Sequence, residues 1–158
     1  MSKVVAITRK IEFDAGHRIP YHESKCRNIH GHRYVLEATV IGSVTEEHNS
    51  QHGMVVDFGN LKQILMELIG DRWDHAFLVW GGDAMMLEAL AAFPSGKDGH
   101  KTVMLNDVPT VENLVRYAGL KLRDYLVKNN STFKVQNVRL YETPNCWADW
   151  SPEMGSSK

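Results

Sequence analysis

Two stretches of alternating apolar and polar residues, close together near the start of the chain, restrict its fold more than any other feature. From Val4 to Phe13, the side chains of Val5, Ile7, Ile11 and Phe13 share one face, with Arg9 interrupting it, while Thr8, Lys10 and Glu12 take the other. From His32 to about Val44, Tyr34, Leu36, Ala38 and Val40 alternate with Arg33, Glu37 and Thr39. A period of two is the signature of a strand with one face buried. The polar run from His17 to Ile29 separates the two segments, and the turn-rich Thr45 to Gly53 follows them before Met54-Val55-Val56. The expectation is a long two-stranded antiparallel ribbon.

Helical spacing takes over after Asp57, which can open a helix. Phe58, Leu61, Ile64, Leu65, Leu68 and Ile69 form its apolar stripe, and Gly70 is its expected stop. A second helix follows Pro109, with Thr110 as cap and Val111, Leu114, Val115, Ala118, Leu122, Tyr125 and Leu126 facing inward. Phe133 to Glu142 and Cys146 to Trp150 read as closing strands. Between the helices, Ala84 to Phe93 reads as a short helix, Pro94 to Gly99 as a loop and Thr102 to Leu105 as a strand. The principal order is ββααββ, an α+β arrangement with helices on one face of an antiparallel sheet. One domain over residues 1–154 and a mobile tail over 155–158 are expected. So few helices leave the edges of a long sheet open, and open edges favour closure by neighbouring subunits.

Composition removes several function classes. Eighteen Lys plus Arg against 19 Asp plus Glu give a net charge of -1, which offers no electrostatic grip on nucleic acid or anionic lipid. No apolar run approaches the roughly 20 residues needed to cross a bilayer. The N-terminal stretch from Met1 to Lys10 lacks a secretory signal's apolar core. Two cysteines, Cys26 and Cys146, make no disulfide scaffold, so a cytoplasmic protein is expected.

The eight histidines are unevenly spread, with His17, His22, His30 and His32 close together. His30 and His32 leave one face of a strand mouth, with Gly31 keeping the space between them clear. If the two long segments pair, His17 reaches them from the opposite strand. Three imidazoles without a fourth protein ligand suit a catalytic zinc with an open position; the competing reading is that each histidine caps a loop or strand end. Cys26, four residues before His30, has three readings: a fourth ligand, a thiol activated beside a cation, or a small buried hydrophobe. His22 is a possible extra ligand, while His48, His52 and His100 lie in polar loops. Asp74 and His75 are candidates for a proton relay with Cys26, or a turn cap and an exposed ring. Adjacent residues of an extended segment point opposite ways, so this pair need not bond directly. Glu112 suits the start of its helix in any case. Glu142, at a strand end, is either an edge charge or an acceptor for a cyclic N–H pair.

Six segments together resemble the 6-pyruvoyl-tetrahydropterin synthase and 6-carboxy-tetrahydropterin synthase family. They are Phe13-Asp14-Ala15-Gly16-His17-Arg18, Cys26 through His30-Gly31-His32, Met54-Val55-Val56-Asp57-Phe58, Trp73-Asp74-His75, Pro109-Thr110-Val111-Glu112-Asn113 and Tyr141-Glu142-Thr143. The resemblance implies a tunnelling fold, whose ββααββ subunits join sheets into a barrel as a trimer or a dimer of trimers. It implies zinc on His17, His30 and His32, and catalytic roles for Cys26, Asp74 and His75 in a pocket shared between subunits. It also implies that Glu142 anchors a pterin, with Glu112 and Thr110 near the pocket.

The short Cys26-to-His30 spacing looks more like the carboxy-tetrahydropterin synthases of queuosine biosynthesis. Their substrate, 7,8-dihydroneopterin triphosphate, gives 6-carboxy-5,6,7,8-tetrahydropterin, acetaldehyde and triphosphate. The alternatives are a pyruvoyl synthase, which eliminates triphosphate, and a non-enzymatic zinc-stabilised oligomeric binding protein in which Cys26 closes the metal sphere. Lys25, Arg27 and Arg33 are candidates for the triphosphate. The chain departs from the family pattern after His75, where about 30 residues separate Leu78 from Pro109 in what looks like an insertion able to re-line the pocket.

Overall fold

The structure is a computed structural model, and it describes residues 3–94 and 99–154. Positions 95–98 of the expected loop and the expected tail at 155–158 lie outside the described residues. Strands β1 (Val4–His17) and β2 (His30–Ser43) form the expected ribbon, in unbroken antiparallel register from Val4 opposite Ser43 to His17 opposite His30. Both strands are longer at the His17/His30 end than the alternation alone marked, because Asp14 to His17 and His30-Gly31 continue the pairing. Gly31 is required there, since a Cβ on it would stand 2.8 Å from the Ala15 carbonyl oxygen.

Helix α1 (Phe58–Leu65) starts where expected: the Asp57 carboxylate accepts from the backbone N–H groups of Gly59 and Asn60. Gly70 does not end it. The chain passes through a π turn (Met66–Gly70) into the short α2 (Asp71–Trp73). A Cβ on Gly70 would lie 2.5 Å from the Met66 sulfur, so glycine here serves close packing inside the helix. The apolar stripe also continues to Trp73, which is fully buried.

Strand β3 (Ala76–Trp80), helix α3 (Ala84–Ala91) and β4 (Thr102–Leu105) follow. The last two match the expected short helix and strand; β3 was hidden because Phe77-Leu78-Val79 has no alternation, being buried on both faces. Helix α4 (Val111–Lys128) is capped by Thr110 and leads to β5 (Phe133–Thr143) and β6 (Cys146–Trp150). The sheet order is β4-β3-β1-β2-β5-β6. The α+β architecture is as expected, but the sheet is mixed: β3 runs parallel to β1, and β4 parallel to β3. Both parallel strands, β3 and β4, are reached through helices, whereas β6 follows antiparallel β5 through a tight turn.

The main core lies between α1, α2, α4 and one sheet face. Helix α3 instead packs Met86 and Leu90 on Phe77 and Val79 of β3 in a separate cluster, so the helices are not confined to one face, contrary to expectation. In the main core, Ile11, Phe13, Tyr34, Leu36, Ala38, Val40, Val138 and Leu140 meet Leu61, Leu65, Ile69, Trp73, Leu114, Ala118 and Leu122. Each large aliphatic side chain so buried contributes about 1.5–3 kcal/mol. Over β1, β2, β5 and β6 the opposite face is polar. Lys10, Glu37, Arg139 and Asp149 sit in successive register across β1, β2, β5 and β6 and alternate in charge. Their contacts include 2.8 Å for Lys10 to Glu37 and 2.8 Å for Arg139 to Asp149.

Candidate metal centre and pterin site

Direct pairing places His17 opposite His30, and His32 opposite Ala15, so all three imidazoles leave the same sheet face. Their ligand nitrogens lie within 4.8 Å of one another, the one such group among the described residues. His17 is buried, and its Nδ1 donates to the Pro109 carbonyl oxygen at 2.7 Å, with the Tyr34 hydroxyl oxygen 3.3 Å from the same nitrogen. His30 Nδ1 donates to the Asn28 carbonyl oxygen at 2.7 Å. A carbonyl can only accept, so both Nδ1 atoms carry hydrogen and both Nε2 atoms present lone pairs. Those Nε2 atoms face each other at 3.1 Å.

Two nitrogens bound at about 2.0–2.1 Å to one tetrahedral ion stand about 3.3 Å apart. The observed spacing therefore fits a shared cation, and the two backbone acceptors orient the rings as outer partners of a metal site do. His32 adds a third unsatisfied group. Its Nε2 is 3.1 Å from Glu142 Oε1, but the direction makes no hydrogen bond, and that buried nitrogen has no such partner among the described residues. Burial lowers the pKa of His17 to about 4, opposed by the Pro109 carbonyl and reinforced by its histidine neighbours. Burial also lowers that of His32, against the raising effect of Glu142. Burial thus favours the neutral, ligand-ready form of His17 and His32.

Cys26 lies half-buried in a short turn (Lys25–Arg27) and is not a member of the histidine group, so the closed four-ligand arrangement is not formed. His22 is also outside the group; it is exposed and accepts from the Ser24 backbone N–H. His48 and His52 stack on one another at the surface.

Asp74 and His75, which an extended segment would not bring together, do bond: His75 Nδ1 is 2.8 Å from Asp74 Oδ2. His75 adopts φ 58°, a left-handed conformation that turns its side chain back toward its neighbour. Its backbone N–H donates to Asp14 O at 2.6 Å, and Asp74 Oδ1 accepts from Asp14 N at 2.9 Å. The latter bond and His75 hold the Asp74 carboxyl below the usual carboxylate range. His75 lines a groove of about 600 Å³ with His30, His32, Arg33 and the exposed His100. Cys26 is not among the lining residues of this groove.

Glu142 occupies a bulge. Tyr141 pairs with Trp147 and Thr143 with Cys146, leaving Glu142 as the extra residue, and bulges re-aim side chains. It lines a second groove, about 630 Å³, with Lys10, His32, Arg33, Tyr141 and Pro144. Thr110 caps α4 beside Pro109, its hydroxyl accepting from Asn113 N at 3.4 Å, while Glu112 is exposed in the first turn. Of the candidate cations, Arg33 lines both grooves and is paired with Asp14 at 2.9 Å. Lys25 and Arg27 are exposed. Sequence reading missed Tyr34 as a neighbour of the site, although His30, His32 and Tyr34 at two-residue spacing carried that signal; nothing local marked the carbonyls of Asn28 and Pro109.

The sequence profile of the 6-pyruvoyl tetrahydropterin synthase family matches residues 6–153. The chain belongs to that family. A 6-carboxy-5,6,7,8-tetrahydropterin synthase of Rickettsia bellii is 37% identical over 146 residues, covering 92% of this chain and 99% of the relative. One of Haemophilus influenzae is 29% identical over 144 residues, 91% and 96% of the two chains. Among solved structures, the 6-pyruvoyl tetrahydropterin synthase of Caenorhabditis elegans superposes with TM-score 0.63 at 25% identity, covering 95% and 96%. An uncharacterized protein of Wolinella succinogenes gives TM-score 0.74 at 21% identity, covering 96% and 99%, which extends the likeness of fold. No helix among the described residues is long and apolar enough to cross a membrane.

Proposed function

We propose that the protein is a 6-carboxy-5,6,7,8-tetrahydropterin synthase, converting 7,8-dihydroneopterin triphosphate to 6-carboxy-5,6,7,8-tetrahydropterin, acetaldehyde and triphosphate. The observation that carries this reading is the convergence of His17, His30 and His32 directly beside Glu142, in a chain matching relatives of that name over nearly its full length. His17, His30 and His32 would hold zinc, which when bound would supply a positive centre able to polarise oxygens of the substrate's side chain. Glu142 takes the N–H edge of the pterin ring, with Thr110 and Glu112 contributing at the pocket wall. Cys26 removes and returns a proton, and His75, oriented by Asp74, is its partner. The ring is reduced at the expense of the side chain, so no nicotinamide is needed.

The pocket is completed between subunits of a trimer or a dimer of trimers. Supporting this, Cys26 is absent from the groove that holds His75, and the sheet of one chain ends at β4 and β6. A cytoplasmic setting fits a chemistry that depends on a free thiol. Incubation of zinc-loaded protein with 7,8-dihydroneopterin triphosphate tests the reading. Carboxy-tetrahydropterin with acetaldehyde is the expected outcome; a pyruvoyl product would assign the sister activity, and absence of turnover would reject both.

A further inference from the structure

Arg18 directly follows His17 and opens the loop that carries Cys26. Its guanidinium Nε and Nη2 donate to both oxygens of Asp83, each at 2.6 Å. Asp83 lies in the turn between β3 and α3, and its side chain is 4% exposed against 19% for Arg18. A two-pronged, charge-assisted pair with so little solvent is a strong contact. The same carboxylate caps α3 by accepting from the Met86 backbone N–H at 3.2 Å.

The platform under Asp83 is firmly built. Asp83 N donates to Trp80 O at 2.9 Å, and Gly81 N to Leu105 O at 2.8 Å. The Trp80 ring folds across the turn so closely that a Cβ on Gly82 would lie 2.3 Å from it. Trp80 Nε1 donates to the Asn106 carbonyl oxygen at 3.1 Å. From the loop, Tyr21 packs edge-on against Trp80 with ring centroids 6.1 Å apart. Next to Arg18, Ile19 N donates to the Cys26 carbonyl oxygen at 2.8 Å. One short path therefore runs from Asp83 through Arg18 and Ile19 to the residue bearing the thiol.

We infer that Asp83, acting through Arg18, is a positioning residue that fixes where the Cys26 thiol stands relative to the histidine cluster. The β3–α3 turn thereby clamps the Cys26 loop from the side. This rests on the reading of Cys26 as the proton-transferring thiol. An ordinary stabilising ion pair would instead hold the fold without affecting the thiol.

The test uses full-length, metal-loaded protein in a Cys146→Ser background, so that Cys26 is the only thiol. Asp83→Asn keeps a good helix cap but gives up the two-oxygen acceptor. Cys26 alkylation by iodoacetamide should then accelerate about fivefold as the loop opens more often. Zinc content should not change, while kcat falls about tenfold and KM stays within about twofold, as expected for a misplaced proton-transfer group. The double variant Arg18→Gln/Asp83→Asn leaves no uncompensated buried charge, and it should show the same fast alkylation and low kcat. Should Asp83→Asn fail to fold, the double variant decides alone. Unchanged alkylation and kcat in Asp83→Asn, or their return to the parent values in the double variant, would overturn the inference. Parent protein that turns over no dihydropterin would reject the functional reading instead, and the alkylation rates would still decide whether Asp83 holds the loop.

Discussion

The Nε2 atoms of His17 and His30 face each other at 3.1 Å across the last rung of the β1–β2 ribbon. Each ring spends its other nitrogen on a backbone carbonyl, Pro109 for His17 and Asn28 for His30. Two lone pairs so opposed repel unless something positive is between them. A metal ion held between them removes that conflict. The site is thus pre-shaped by main-chain atoms of the 28–32 loop end and of the turn before α4, which are far apart in sequence.

Acidification should weaken the metal-free protein in a defined window. With His17 at about 4 in the folded state and 6.5 as its ordinary value, the unfolded chain takes up a proton first. The contribution is fully present above pH 6.5, falls as the pH drops toward 4, and is lost below that. It amounts to about 3 kcal/mol for this one buried ring. Denaturant titrations of metal-free wild type and His17→Asn should differ in slope between pH 6.5 and 4; parallel curves would mean that His17 is not held neutral by burial.

Glu142→Gln should keep zinc and assembly but weaken pterin binding by about 2–4 kcal/mol, because an amide loses one acceptor and adds a mismatched donor. Calorimetric titration with a non-reacting pterin reads this directly. A surface charge would leave affinity unchanged.

Asp74→Asn should lower kcat by about ten- to a hundredfold while leaving zinc content intact. The amide can still accept from Asp14 N through its oxygen, yet it turns an N–H toward His75 Nδ1 and favours the other ring tautomer. A kcat within about twofold of wild type would remove the pair from proton transfer.

Mixing inactive Cys26→Ala with inactive His75→Ala, after subunit exchange confirmed by mass, should restore part of the activity. The reason is that the two groups do not share a groove within one chain. Full activity in an isolated monomer would contradict a pocket built between subunits.

Much of the fold was legible because its information is local. The alternation around Ile11, Phe13, Leu36 and Val40 carries the ribbon, and Asp57 and Thr110 mark helix starts by their own side chains. The three-histidine group followed from strand pairing plus the two-residue spacing of His30 and His32. What stayed hidden depends on distant partners. Gly70 reads as a stop until Met66 is seen against it, and His75 reads as extended until Asp14 is seen accepting its N–H. The parallel edge formed by β3 and β4 is invisible to periodicity because its inner strand is apolar throughout. The bulge that turns Glu142 toward His32 likewise depends on the register of β6, which no local pattern encodes.

The most direct measurement for the metal-centred account is the zinc content of purified wild type beside His30→Ala, His32→Ala and Cys26→Ala, each checked for folding by circular dichroism. The expected result is about one zinc per chain in wild type and Cys26→Ala, and little in either folded histidine variant. Full zinc occupancy in folded His30→Ala and His32→Ala would contradict the three-histidine site and the chemistry built on it.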